Sequence, residues 1–173
     1  MLKYYNYSTF LVISVRYSTL VYGHKIYLST ITSLHQYIVM KKIIAVVFPD
    51  LDDKVIRIEL DDSLAPKTFK AIFENLPIEV NINRWGDELY TDRTMISIGL
   101  EDSAKIEVNK LDVAYWLEGK ALCLFFGPTP ISKNGMILAY SAVNIVGRII
   151  DSGKDQILSQ IKDGTKVIIK DNI

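Results

Sequence analysis

The stretch that most constrains this chain is Ala121-Leu122-Cys123-Leu124-Phe125-Phe126, six apolar residues in a row, closed by Lys120 on one side and Gly127-Pro128 on the other. A short unbroken apolar run between breakers is the pattern of a β-strand buried on both faces. Such a strand has no side to turn to water, so other elements must cover it above and below. Tyr115 and Trp116 precede the run and its own end is Phe125-Phe126. Aromatics at both ends predict a lined pocket there.

The flanking segments supply the cover. Lys41 to Phe48 is apolar and β-branched, Pro49 to Asp53 has the composition of a turn, and Val55 to Leu60 alternates around Arg57 and Glu59, which together predict a hairpin. The period then changes. Asp61-Asp62-Ser63 offers capping oxygens, Pro66 suits a first helical turn, and Ala65, Phe69, Ile72 and Leu76 recur at helical spacing until Pro77. Strands are predicted over Ile78 to Asn83, at Leu89-Tyr90 after a turn or bulge at Gly86-Asp87, and over Met95 to Ile98. Further strands are predicted over Ile106 to Val108, Val113 to Leu117, and Ala142 to Ile150 with a bulge at Gly147-Arg148. Ile131 to Met136 reads as a loop, Ser152 to Lys162 as a second short helix, and Thr165 to Lys170 as a last strand. Many short strands with one early and one late helix, no βαβ alternation and no repeat predict a mainly β fold, a closed barrel with helices at its ends.

Composition removes several functions. Formal net charge is zero, which favours neither nucleic acid nor an anionic membrane as partner. All acidic residues lie from Asp50 onward, so residues 40–173 carry 17 basic and 20 acidic groups, a net −3. Cys123 is the single cysteine, so no intrachain disulfide forms, and its place in the apolar run reads as a buried structural thiol. Both histidines, His24 and His35, fall in the first 39 residues. A domain beginning after them has no histidine for Ser-His-Asp or Cys-His catalysis and none for a zinc site. No metal and no cofactor is expected.

Residues 1–39 are set apart by composition, with Lys3, Arg16 and Lys25 as their charged residues and apolar stretches far shorter than the ~20 residues a spanning helix needs. Met40-Lys41-Lys42 leads straight into a strand. The reading is that the domain begins at Met40 and that 1–39 is an upstream translation or a disordered extension; a signal or membrane-associated segment is the alternative, although no small-residue cleavage site follows Lys3 and its apolar patch. Mass spectrometry of the native N-terminus distinguishes these. A cytoplasmic location follows from the first reading.

Three stretches together resemble cyclophilins. Ile58 to Phe69 carries an acidic turn before Ala65-Pro66-Lys67-Thr68; Phe125-Phe126-Gly127-Pro128-Thr129-Pro130 is similar to their Phe-Phe strand and following loop; Val143 to Ile149 resembles their late strand. Trp85 to Tyr90, Asp112 to Trp116 and Gly119 to Gly127 make the likeness closer to small bacterial and archaeal cyclophilin-like proteins of the Thermotoga type. The resemblance spans Met40 to the end and implies a closed eight-stranded barrel with two capping helices.

It also implies a question of activity. Cyclophilins hold a proline ring in an apolar pocket and aim an arginine at the imide, favouring the single-bond-like transition state. Their Phe-His-Arg and Gln-Gly-Gly-Asp stretches have no counterpart here, and Ile131 to Gly135 stands where their pocket Trp and His would lie. Phe126 carries over as a pocket wall, and Arg84 is the candidate catalytic arginine, against the plainer reading of a solvated arginine at a strand end. The expectation is therefore a binding domain, with Trp85, Tyr90, Tyr115, Trp116 and Phe126 lining a cleft for a small molecule or an extended peptide. A prolyl cis-trans isomerase with a non-standard site is the alternative. Adjacent Asp87 and Glu88 point to opposite faces of a strand and do not form an acid–base pair. Asp92, Glu101 and Asp102 read as solvated loop charges. Exposed strand edges allow pairing of two copies.

Overall fold

The computed structural model describes residues 8–9, 12–22, 25–35, 38–151, 153 and 155–171. Lys3, His24 and Ser152 lie outside the described residues. The chain divides into two compact units, Met1–Met40 and Lys41–Ile173. In the first, β1 (Ser8–Thr9) pairs with β4 (Ile38–Val39) and β2 (Val12–Tyr22) pairs antiparallel with β3 (Lys25–His35).

The second unit contains β5 (Lys41–Phe48), β6 (Lys54–Asp61), α1 (Pro66–Glu74), β7 (Ile78–Trp85), β8 (Glu88–Thr91), β9 (Ala104–Val108), β10 (Asp112–Trp116), β11 (Ala121–Phe125), β12 (Ile137–Ile149), α2 (Asp155–Gln160) and β13 (Thr165–Asp171). The strands follow the order β10-β11-β8-β7-β13-β5-β6-β12, and β12 returns to pair with β10. Eight antiparallel strands thus close on themselves, and closure leaves no open edge in that circuit. Only β9 stands outside it, laid along β12.

Cross-strand partners show which side chains point inward. Ile56, Ile58 and Leu60 of β6 are fully buried while Arg57 between them is exposed. Leu60 faces Gly147, Gly147 faces Val113, Val113 faces Leu124, and Leu124 faces Leu89, so this face runs from strand to strand round the interior. By the two-residue alternation, Ala114, Cys123, Phe125, Glu88 and Tyr90 stand on the outer wall. That wall is covered too. Val108 of β9 and Ala139, Val143 and Ile145 of β12 pack onto Ala114, Cys123 and Phe125. Every residue of β11 is buried because it has barrel core on one side and this second layer on the other. The apolar run is the innermost strand that its composition predicts.

The strand β12 makes both layers possible. It faces Val113 with Gly147 and Ala114 with Ile145, so Val146 is an extra residue and the strand kinks there, one position before the Gly147-Arg148 bulge expected. A Cβ on Gly147 would stand 2.2 Å from the Glu59 carbonyl oxygen, so only glycine lets β12 approach β6 this closely. The strand begins at Ile137 rather than Ala142, its first part reaching out to β9.

Several expectations are corrected. Met95 to Ile98 forms no strand: Met95 is 91 % exposed, and this segment is a loop whose Ile96 alone tucks in. Asp61-Asp62-Ser63 does not cap α1. Asp61 spends its carboxylate on the amide of Ser63 in the preceding turn, and the helix starts from Ala65 without a side-chain cap of its own. The cap comes from far along the chain. Glu101 accepts from the amides of Lys67 at 2.9 Å and Thr68 at 2.8 Å and from Thr68 Oγ1 at 2.6 Å. Buried Asn144 completes the group, donating to Thr68 Oγ1 and to the Gly99 carbonyl and accepting from the Glu101 amide. Glu101 is therefore a remote helix cap and not a solvated charge. Asp92 is likewise engaged. Asn83 and Asn81 donate to it at 2.9 and 3.0 Å, and the Asn83 bond leads the effects that hold its carboxyl below the usual range. The second helix is shorter than expected, Asp155–Gln160.

Candidate functional site

The outer wall carries a cleft where the second layer leaves it uncovered. Its lining is Trp85, Glu88, Tyr90, Trp116, Ala139, Tyr140 and Val143, around about 160 Å³. Strand geometry puts these groups together. Glu88 and Tyr90 alternate out of β8 on one face; Tyr90 is opposite Cys123, Glu88 opposite Phe125, and Trp116 opposite Val143. Trp85 sits across the β7–β8 hairpin from Glu88. The exposed Tyr140 stands on the outward arm of β12.

The four rings form an edge-to-face series. Trp85 and Tyr140 have centroids 6.0 Å apart at 74°, Tyr140 and Trp116 6.0 Å at 70°, and Trp116 and Tyr90 6.2 Å at 89°. Each ring is turned nearly perpendicular to the next, so the series makes walls of different orientation rather than a stack. Trp116 is the best anchored. Its Nε1 donates to Ser141 Oγ at 2.9 Å, and the backbone of Gly119 lies against its six-membered ring. A Cβ on Gly119 would fall 2.1 Å from Trp116 Cε3, so glycine is what allows the indole to lie there.

Glu88 is the polar group of this cleft and is only 5 % exposed. The other side chains that line the cleft are aromatic or aliphatic, and the thiol of Cys123 donates to the carboxyl. Burial drives the Glu88 pKa up to about 7, with the thiol bond acting weakly the other way. Cys123 is pushed well above its ordinary value, first by burial and then by the carboxylate beside it. Tyr90 is raised too, by burial and by surrounding acidic groups led by Asp163. Both therefore stay protonated while Glu88 titrates near neutrality.

The match to known proteins follows this architecture. A family model described as cyclophilin-like matches residues 42–170. The chain belongs to the cyclophilin-like family. It is similar to a hypothetical protein from Archaeoglobus fulgidus solved in solution, at 39 % identity, with a TM-score of 0.63 over 76 % of this chain and 95 % of that one. No curated protein matches.

Of the residues expected to line the cleft, this cyclophilin-like barrel brings together Trp85, Tyr90 and Trp116 and separates the other two. Tyr115 is the neighbour of Trp116 on the strand and so faces the opposite way. It is 1 % exposed, with its hydroxyl 2.7 Å from Thr94 Oγ1 and donating to the Ile96 carbonyl at 3.0 Å. Phe126 lies just beyond β11, 5 % exposed, at a different depression shared with Asp87, Lys110 and the Ser132–Ile137 loop. Arg84 does not reach the aromatic cleft. Its Nε donates to the Gly86 carbonyl at 2.8 Å, Nη1 to the Ser159 carbonyl at 2.7 Å and Nη2 to Asp87 at 3.0 Å, with the guanidinium 5.3 Å from the Phe126 ring centroid. Asp87 is thus spent on Arg84 while Glu88 turns into the cleft, so the two adjacent carboxylates do part to opposite sides.

Of the polar and aromatic side chains that line the cleft, Tyr140 is not singled out from the sequence, and Glu88 is weighed there only as an acid–base partner of Asp87. A signal for Glu88 existed: it shares a strand face with Tyr90, and that strand pairs with one buried on both sides. Tyr140 carried none, because Leu138-Ala139-Tyr140-Ser141 does not announce a strand. Among the described residues no group of three His, Cys, Asp or Glu side chains is placed to hold a metal ion, and no helix is long and apolar enough to cross a membrane.

Proposed function

We propose that this domain is a binding module whose ligand sits in the outer-wall cleft against Trp85, Trp116, Tyr90 and Tyr140. One observation carries the reading: four rings, each steeply inclined to the next, line a cleft with a single buried carboxyl on the barrel wall. Aromatic walls with one oriented polar group are the usual make-up of a small-ligand site, and Trp and Tyr supply contact area at low entropic cost. At about 160 Å³ the cleft is smaller than the roughly 300–1,000 Å³ of drug-sized sites, so it suits a head group or one side chain of a peptide. Isomerisation of prolyl bonds gains nothing from the arrangement, since the Arg84 guanidinium is directed at backbone carbonyls and at Asp87. Glu88 has an acidity suited to proton transfer, but the thiol beside it, Cys123, is fully buried and held protonated, and the described residues of the cleft set no second carboxyl there.

A thermal-shift screen of small molecules and short peptides tests the reading. Ligands of the cleft raise the melting temperature, and Trp116→Ala removes the shift. A ligand whose shift survives in Trp116→Ala and in Tyr140→Ala binds elsewhere and contradicts it. In a protease-coupled proline-peptide assay the domain shows no turnover; turnover lost in Arg84→Ala would restore the isomerase alternative.

A further inference from the structure

The cleft combines two features that recognise the same chemistry. The faces of Trp and Tyr rings carry negative electrostatic potential, and rings each steeply inclined to the next offer it from several directions. At the inner side is Glu88, a carboxyl removed from water with a thiol as its polar contact. Among the described residues no cationic side chain lines the cleft to neutralise it. A neutral apolar ligand would leave a buried carboxyl facing it without compensation. A hydrated metal ion or compact ammonium would have to shed tightly held water against ring faces. An alkylated ammonium head group avoids both costs, because its charge is spread over methyl groups that pack on aromatic rings and it is weakly hydrated.

Resting on the binding reading above, we infer that the cleft takes an alkylated ammonium ion, its methyl groups packed against Trp85, Trp116, Tyr90 and Tyr140 and its charge set against the Glu88 carboxylate. The same head group occurs on free quaternary amines and on methylated lysine side chains, and the cleft reads the head group they share.

The inference makes binding depend on pH. The titratable groups facing Glu88 are Tyr90 of its own strand, Cys123 of β11 and Tyr140 of β12. Burial holds Tyr90 and Cys123 protonated through neutrality. Glu88 is therefore the group that switches as pH rises through about 7, and the cation binds to its ionised form.

The test follows tryptophan fluorescence of the full chain during titration with tetramethylammonium chloride, choline, the neutral choline isostere 3,3-dimethylbutan-1-ol, and a short peptide bearing trimethyllysine. Tetramethylammonium and choline should bind saturably, about tenfold more tightly at pH 8 than at pH 5.5, and choline about tenfold more tightly than its neutral isostere. Glu88→Gln should remove the pH difference and narrow the choline–isostere difference to what the ring faces alone give, while leaving the isostere's binding in place. Tyr140→Ala, at an exposed position that the fold does not depend on, should weaken every ligand. Tighter binding of the peptide than of the free ions identifies a polypeptide source for the head group; equal binding identifies a free amine. If the isostere matches choline, or Glu88→Gln leaves cation binding and its pH dependence intact, the cation inference is overturned while the binding cleft stands. If none of the four probes binds, the cation inference is overturned, and the ligand screen above decides separately on the cleft.

Discussion

Half-buried Glu101 and buried Glu88 are two carboxylates of this barrel whose surroundings differ in kind. Glu101 meets three donors, two backbone amides at the start of α1 and the Thr68 hydroxyl, and Asn144 braces the group from β12. Glu88 meets ring faces and one thiol. A carboxylate with donors aimed at it holds structure together. One without them costs stability whenever it is charged and waits for a partner from outside. The difference separates a structural polar group from the one on which the proposed binding function rests.

The largest expected effect is the pH dependence that Glu88 imposes. Its folded pKa, about 7, lies above the ordinary 4.5, so the folded state holds the proton more tightly than the unfolded chain does. The sign is opposite to that of a salt-bridged acid: this contribution is present below pH 4.5 and is lost as pH rises through about 7. Between pH 5 and pH 8 it amounts to about 2–3 kcal/mol. Urea denaturation at the two pH values should show that fall in the natural protein and a fall smaller by about that amount in Glu88→Gln. Equal pH dependence in the two proteins would mean that the carboxyl is solvated. Next comes Glu101→Ala, which strips the cap from α1 and leaves the Lys67 and Thr68 amides and the Thr68 hydroxyl without their acceptor, while the backbone amide of residue 101 keeps its bond to Asn144. It should cost about 2 kcal/mol of stability and leave ligand binding in the cleft unchanged. Loss of binding in that variant would blur the contrast between the two glutamates. The smallest effect on stability is expected for Gly119→Ala, about 1–2 kcal/mol, because the added methyl can push the half-buried indole of Trp116 outward. Its effect on tryptophan fluorescence and on ligand affinity should be large, because the indole is then displaced from the cleft.

The barrel is legible in the chain because most of its strands obey a short-range rule. Alternation gives β6 and β7, the unbroken apolar run gives β11, and Pro66 and Pro77 bracket α1. The Met95–Ile98 segment breaks the pattern because four β-prone residues find no partner strand. The cap of α1 is hidden because Glu101 stands 34 and 33 residues along the chain from the two amides it caps. The cleft was half legible. Trp116 stands out as an aromatic just before the central strand, and Trp85 and Tyr90 through the motif shared with cyclophilin-like proteins. Tyr115 was included with Trp116 although adjacent residues on a strand must part, which is the rule applied correctly to Asp87 and Glu88. What no local pattern gives is which outward-facing residues the second layer leaves uncovered, because that depends on the kink at Val146 and the outward arm of β12.

A ¹³C titration of the Glu88 side-chain carboxyl by NMR, alone and with saturating tetramethylammonium, tests the central claim most directly. The account predicts a midpoint near pH 7 in the free protein and a clear downward move when the cation binds. A midpoint in the ordinary glutamate range that the cation leaves unmoved would contradict it.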